Sequence, residues 1–391
     1  MFQYGGISAY NFWVMDTKFS PSRVVYLTPY SKTGPVHGGK IRADQISKIL
    51  AGIDPHLEII ALGDRDFKSR PSTFDLDGVS RALVGDLEMF ERNYALSEQG
   101  YSNLKVVIFE QPWSWNEVKD LKKRYPEVKI IYSSQNIECQ LKGRILSKYL
   151  GDRANSIARE IRNIEIEIAN SVDRVIVVSE LDKDWYSQFT KQEPILAPNG
   201  AVKRTHTDSD SCKKDINSAL VVGSSHPPNI EGCLKFLSDP DLWMPRDSQI
   251  VVAGSLAVAL SEHWGDLRNR WGETCVKLIP EVNDRDLGML LEQSNVILLP
   301  IAYGGGTNLK SAEALVAGRP IVASLQAFRG FEDYKKDSSV KIAHSNMEFK
   351  ILTTARLIAG RIPNKERDIS KLLWNSTLGT LENSVRELIN D

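Results

Sequence analysis

Short apolar runs rich in Val and Ile recur along the whole chain, separated by longer, polar, helix-like stretches. In the first half the runs predict strands at 23–28, 58–63, 105–109, 129–133 and 174–179. In the second half they predict strands at 219–223, 249–254, 276–279, 296–300, 320–323 and 340–343. Most are apolar at both alternate sets of positions, the pattern of a strand covered on both faces. The stretches between them supply the covering helices. Strand–helix alternation of this kind predicts an α/β protein with doubly wound parallel sheets.

The pattern breaks once. Residues 201–217, after Pro198-Asn199-Gly200, are polar and have no apolar period, which predicts a linker between two Rossmann-like domains, 1–200 and 218–373. A chain of 391 residues suits two domains of about 150–200 residues each. In such sheets ligands collect at the carboxyl ends of the strands, and a shared ligand sits in the cleft between domains.

Composition narrows the class. Hydrophobic residues make up 42% and charged residues 25%, a globular profile. A net charge of −1 argues against a nucleic-acid partner. Residues 1–13 lack the basic stretch and long apolar core of a secretory signal, and the apolar runs are too short to span a membrane. Cysteines at 139, 212, 233 and 275 are scattered, as suits a reducing cytoplasm, and the histidines show no zinc spacing. No metal site is predicted.

The strongest constellation follows the strand at 296–300. Gly304, Gly305 and Gly306 let the backbone turn sharply and approach a ligand. Thr307 or Asn308 can cap the next helix, whose free N–H groups favour an anion such as diphosphate. Leu309, Ala312 and Val316 share a helix face and are expected to pack on the sheet. Lys310 and Glu313, three apart, lie together near the helix start. A lysine there can neutralise phosphate, and a carboxylate one turn on suits a ribose diol. Gly318 stops the helix and Pro320 opens the next strand.

This GGGTxxKxxEALxxGxP block resembles the donor-site signature of glycosyltransferase family 4 and its relatives with the GT-B fold. Other segments resemble the family in the same order: Gly38-Gly39 with Arg42, Gln135-Asn136-Ile137-Glu138, Val178-Ser179-Glu180, Pro198-Asn199-Gly200, and Val222-Gly223-Ser224 with Pro228-Asn229. The resemblance implies two domains facing across a cleft, with the acceptor on the first, the donor on the second, and a closing helix at about 374–391 packing back on the first. It implies a retaining, metal-independent hexosyl transfer from a nucleotide-diphosphate sugar to a saccharide or lipid-linked acceptor, as in polysaccharide or glycoconjugate biosynthesis, with the nucleotide sugar as co-substrate and no cofactor. By position, Glu313 would bind the ribose, Gly304 to Thr307 the diphosphate and sugar, and Lys310 the departing nucleotide's charge, while Val282 would edge the base. Gly38 and Gly39 would close over the diphosphate, with His37 and Arg42 as further candidate catalytic groups and Gly223 and Ser224 beside the donor.

Two positions depart from the family. Gly305 stands where many members have a second glutamate, and Gln135 where a histidine is common. Glutamine cannot shuttle a proton, so Gln135 is assigned no such role.

Rival readings are weaker. Residues 34–41 approach the phosphate-loop pattern GxxxxGK[ST] of a kinase or ATPase, but Ile41 replaces the magnesium-binding hydroxyl. A nicotinamide fingerprint fails at Leu309, where its third glycine belongs. The Asp-x-Asp pairs at 64/66, 75/77, 182/184, 208/210, 239/241 and 284/286 are too common to mark a metal. A nucleotide-sugar-binding module without turnover is the alternative from another class. The basic stretch 140–162, with interleaved leucines and isoleucines, reads as an amphipathic helix with its basic face in water, or as a peripheral contact with the inner face of an anionic membrane.

Overall fold

Two parallel six-stranded sheets carry the chain, one in each half. The computed structural model describes residues 19–32, 37–62, 100–203, 217–262, 275–361 and 367–391. Residues 1–13, Gly34 to Val36, Cys212, most of the expected linker and the aspartate pairs at 64/66, 75/77 and 208/210 lie outside them.

The first sheet holds β1 (Val24–Thr28), β2 (Glu58–Ala61), β3 (Val106–Glu110), β4 (Lys129–Ser133), β5 (Arg174–Val177) and β6 (Ile195–Leu196). Their order is β2-β1-β3-β4-β5-β6. The second holds β7 (Asn217–Val222), β8 (Ser248–Ala253), β9 (Val276–Ile279), β10 (Val296–Leu299), β11 (Ile321–Ser324) and β12 (Val340–Ala343), in the order β12-β11-β10-β7-β8-β9. All pairings are parallel, so each sheet reverses its winding once, between β1 and β3 and between β7 and β10. Such reversals leave a crevice at the strands' carboxyl ends where ligands bind.

Burial follows position in the sheet. Central strands β1, β3, β10 and β11 are buried at every residue. Strands β2, β9 and β12 keep open or half-open positions because they lie at sheet edges, a correction to the expectation of burial on both faces. The edge strand β6 was not foreseen; two residues are too few for a pattern.

In the first half the helices are α1 (Gly38–Ile53), α2 (Trp115–Arg124), α3 (Glu138–Leu150), α4 (Arg153–Ser171) and α5 (Glu180–Tyr186). In the second they are α6 (Pro227–Phe236), α7 (Ser255–Glu262), α8 (Asp284–Gln293), α9 (Leu309–Ala317) and α10 (Asn346–Ile358), followed by α11 (Trp374–Thr377) and α12 (Gly379–Asn390). The basic stretch expected as one helix is two, broken at Gly151, which turns at φ 52°. Among the described residues no helix is long and apolar enough to cross a membrane.

The chain returns to its first half at the end. Trp374, Leu378, Leu381, Val385 and Leu388 share one core cluster with Val24, Tyr26, Ile46 and Ile108. Each such buried side chain contributes about 1.5–3 kcal/mol, enough to hold a terminal helix in place.

Candidate functional site

The winding reversal of the second sheet is where the glycine block lies. Asn308 caps α9, its side chain accepting the Lys310 amide, and Gly318 ends the helix in the left-handed conformation at φ 73°. Lys310 runs between two narrow clefts, one lined by Val221, Val222, Cys233 and Leu299 and the other by Val222, Leu287, Leu299 and Glu313. Its ammonium therefore sits at the crevice between β7 and β10. Desolvation pulls the Lys310 pKa below the ordinary lysine value, and Glu313 beside it opposes that shift. Gly223 and Ser224 close β7 at the same edge, and Ser224 accepts hydrogen bonds from the Asn229 side chain at 2.9 and 3.2 Å. Val282, in the loop after β9, packs with the same apolar cluster as Val222, Leu287 and Leu299.

The block faces the first half directly. Gly306 turns at φ 56°, and a methyl group there would lie 2.3 Å from the Gln135 carbonyl oxygen. A methyl on Gly305 would stand 3.1 Å from Asn136 Oδ1. At Gly305 this chain thus admits an asparagine from the opposite half. Thr307 Oγ1 accepts the Asn199 amide at 3.2 Å, and its carbonyl accepts Asn199 Nδ2 at 3.2 Å. Leu309 joins the first-half core cluster rather than the sheet beneath it, which corrects the expected helix face; only Ala312 and Val316 pack with the second sheet.

The first sheet's winding reversal carries a buried polar network. Glu110, the last residue of β3, accepts from Thr28 Oγ1 at 3.2 Å and from Gln135 Nε2 at 2.9 Å. Burial raises its pKa, while Tyr26, Arg42, Gln135 and Thr28 act in the opposite direction. Gln135 Oε1 accepts from Tyr30 at 3.0 Å, and Tyr30 accepts from Gln111 Nε2 at 2.9 Å. Gln111 itself adopts φ 59°, strained for a residue with a Cβ. Gly39 fits because a methyl there would fall 2.1 Å from the Tyr30 hydroxyl.

Several sequence expectations change here. Arg42 is only 1% exposed, points into the first half toward Glu110, and hydrogen-bonds Asn199 Oδ1 at 3.3 Å, a buried position rather than that of a catalytic group at the cleft surface. Lys40 is mostly buried and pairs with Asp44 at 3.4 Å. His37 caps α1, accepting the Lys40 amide at 3.4 Å, and lies edge-on to Tyr30. Asp182 is buried near the start of α5 and bonded to Ser179 at 2.7 Å.

Lysines from both halves converge on the cleft beside His226. His226 starts α6 at the cleft mouth, and desolvation by the surrounding protein lowers its pKa to about 4, with Lys310, Lys142 and His37 adding to the effect. Lys142, on α3, is mostly buried with its ammonium 5.6 Å above the Trp113 ring. Sequence reasoning missed Lys142, Glu110, Gln111 and Arg329. Glu110 had a readable signal, a carboxylate ending an otherwise apolar strand. Lys142 had none, because a lysine in a basic helix reads as solvated.

By sequence the chain matches no protein-family model and no curated protein. By structure it is similar to sucrose-phosphate synthase from Thermosynechococcus elongatus, with TM-score 0.60, 14% identity and 94% of each chain covered. It is also similar to an α,α-trehalose-phosphate synthase (UDP-forming) from Burkholderia xenovorans in complex with glucose-6-phosphate, with TM-score 0.59, 13% identity, and 95% of this chain and 100% of that one covered. A third similar structure is HepE of Anabaena in complex with UDP, with TM-score 0.55, 12% identity, and 94% and 100% covered. The fold is GT-B: two Rossmann-like parallel-sheet domains facing across a cleft.

Proposed function

We propose that this chain is a glycosyltransferase of the family 4 type, moving a sugar from a nucleotide-diphosphate sugar to a saccharide or glycolipid acceptor. The observation that carries this reading is the position of α9: its start and Lys310 lie at the β7/β10 reversal, opposite Gln135 and Asn136 of the other half. The second domain holds the donor and the first the acceptor. Glu313 takes the ribose diol, and the amides at the start of α9 take the diphosphate.

Departure of the nucleotide leaves negative charge on its outer phosphate. Preorganised positive groups stabilise such charge more than any other single device. Lys310 and the α9 dipole supply them from one side, with Lys142 on the other. These cations do the work of a metal, so the transfer proceeds without one. Glu110, 0% exposed and held by three neighbours, is no general base for the acceptor; the retaining course is the one the family 4 resemblance implies. Similar structures in complex with UDP and with UDP-glucose support a nucleotide-sugar donor.

Exposed Arg144, Arg159 and Arg162, with Tyr149 41% exposed, favour a cytoplasmic chain that meets an anionic membrane through α3 and α4. Incubation with UDP-, GDP-, ADP- and dTDP-sugars and a panel of acceptors, with and without EDTA, tests the reaction. Nucleoside diphosphate release that needs an acceptor and survives EDTA supports it. Tight binding without release on any acceptor favours the binding module, and complete loss in EDTA restores a metal-dependent scheme.

A further inference from the structure

Three successive glycines have no side chains to hold them, yet amides that bind a diphosphate must be fixed before the ligand arrives. Arg329 supplies the constraint. It follows the short 3-10 turn Leu325–Phe328 after β11 and is half-buried. Its Nη2 donates to the Gly305 carbonyl at 2.9 Å and its Nε to the Gly306 carbonyl at 3.3 Å. Nη1 donates to the Gln326 carbonyl at 2.6 Å, which ties the guanidinium to its own turn. One planar fork thus grips two consecutive peptide units, a geometry open to arginine and not to lysine.

The consequence for the amides is geometric. In a trans peptide the N–H points opposite to its C=O. Holding the carbonyls of Gly305 and Gly306 on Arg329 turns the amides of Gly306 and Thr307 to the other side. Among the described residues, neither amide donates to a protein group. Arg329 also faces buried Asp182 of the first half: the two lie close enough for each to shift the other's titration, with Asp182 raised to about 6 by burial against the pull of Arg329. The grip on the glycines is therefore set where the two halves meet.

We propose that Arg329 is a positioning residue, fixing the Gly306 and Thr307 amides as donors to the phosphate groups of the nucleotide. The inference rests on the donor site described above, and names a residue that touches the glycine loop and not the ligand. It predicts a split in affinity, because the ribose end is held by Glu313 on a helix that Arg329 does not touch.

Calorimetric titration of the full chain with UDP, GDP, ADP and dTDP, and with the matching nucleosides, separates the two ideas. If the unaltered chain binds no nucleoside diphosphate, the donor site itself is wrong and the inference falls with it. If it binds one, Arg329→Met weakens that diphosphate about tenfold or more while the nucleoside changes less than about twofold. Arg329→Lys, which keeps the charge and the volume, recovers only part of the loss. Amide exchange in residues 303–308 speeds up in both variants, which keeps the test sharp if Arg329→Met folds poorly. Equal losses for nucleoside and diphosphate, or full recovery in Arg329→Lys, would overturn the positioning role.

Discussion

Asn199 and Thr307 join the two halves at the glycine block: the Asn199 amide donates to Thr307 Oγ1 and its Nδ2 to the Thr307 carbonyl, both at 3.2 Å. The remaining atom of that side chain, Oδ1, accepts from Arg42 at 3.3 Å. Asn199 therefore links the buried Arg42–Glu110 network to the start of α9. Arg42 is anchored here while its Nε and Nη2 make no hydrogen bond, so it has little to replace a lost partner. Asn199→Ala is expected to cost about 1–3 kcal/mol in thermal or urea unfolding, and to raise the donor KM more than it lowers kcat. A variant with unchanged stability and KM would remove Asn199 from the coupling.

In the proposed role Lys310 works only as a cation, and desolvation brings its pKa below the usual lysine value. Deprotonation with rising pH removes the positive charge, so kcat is expected to fall on the alkaline side at a pH below about 10.4, the ordinary lysine value. Lys310→Met should abolish that alkaline limb and lower kcat by about 10²–10³. A pH–rate profile of the variant that keeps the limb would assign it to another group.

Gly306 and Gly38 make a matched pair of tests. Alanine at Gly306 meets both a left-handed backbone at φ 56° and the Gln135 carbonyl oxygen at 2.3 Å. The backbone alone costs about 1–2 kcal/mol, and the clash wedges the halves apart. Turnover should fall at least about tenfold. At Gly38 the nearest protein atom, Leu309 Cδ2, would be 3.8 Å away, an ordinary contact, so Gly38→Ala is expected to keep its stability, and any loss of turnover there comes from the diphosphate that Gly38 would cover. Steady-state kinetics of both variants give the comparison.

Glu165 is expected to make stability depend on pH. Its carboxylate accepts the amides of Glu138 and Cys139 at 2.7 and 3.0 Å, capping α3 from α4, and takes the Tyr186 hydroxyl at 3.0 Å. Burial nevertheless raises its pKa to about 7. Between the unfolded value of about 4.3 and about 7 the folded state holds the proton more tightly. Its contribution is therefore complete below the lower value and lost as pH rises through the upper one. Glu165→Gln should flatten this fall in urea unfolding between pH 5 and pH 8, at some cost in absolute stability, since its amide meets one of the capped N–H groups. An unchanged slope would mean that Glu165 is ionised throughout.

The local parts of this architecture could be read from residue order, and the parts made by tertiary contact could not. The strand before the glycine block, the Asn308 cap and the Gly318 stop all depend on neighbours within a few positions, and each took the form its residues dictate. Leu309 did not, because a leucine beside two sheet-facing residues gives no sign that another domain waits on its other side. Lys142 was misjudged because charge on a helix reads as solvated unless the surface packed against it is known. The grip of Arg329 spans more than twenty positions and uses backbone acceptors, which leave no trace in side-chain pattern.

Titration of the chain and its Glu313→Ala variant with nucleoside diphosphates tests the donor site most directly. At least one of UDP, GDP, ADP and dTDP should bind the unaltered chain, and Glu313→Ala should weaken it about tenfold or more with its melting temperature nearly unchanged, since the Glu313 side chain is only half-buried. Equal affinity in the two proteins would contradict the placement of a nucleotide at the start of α9.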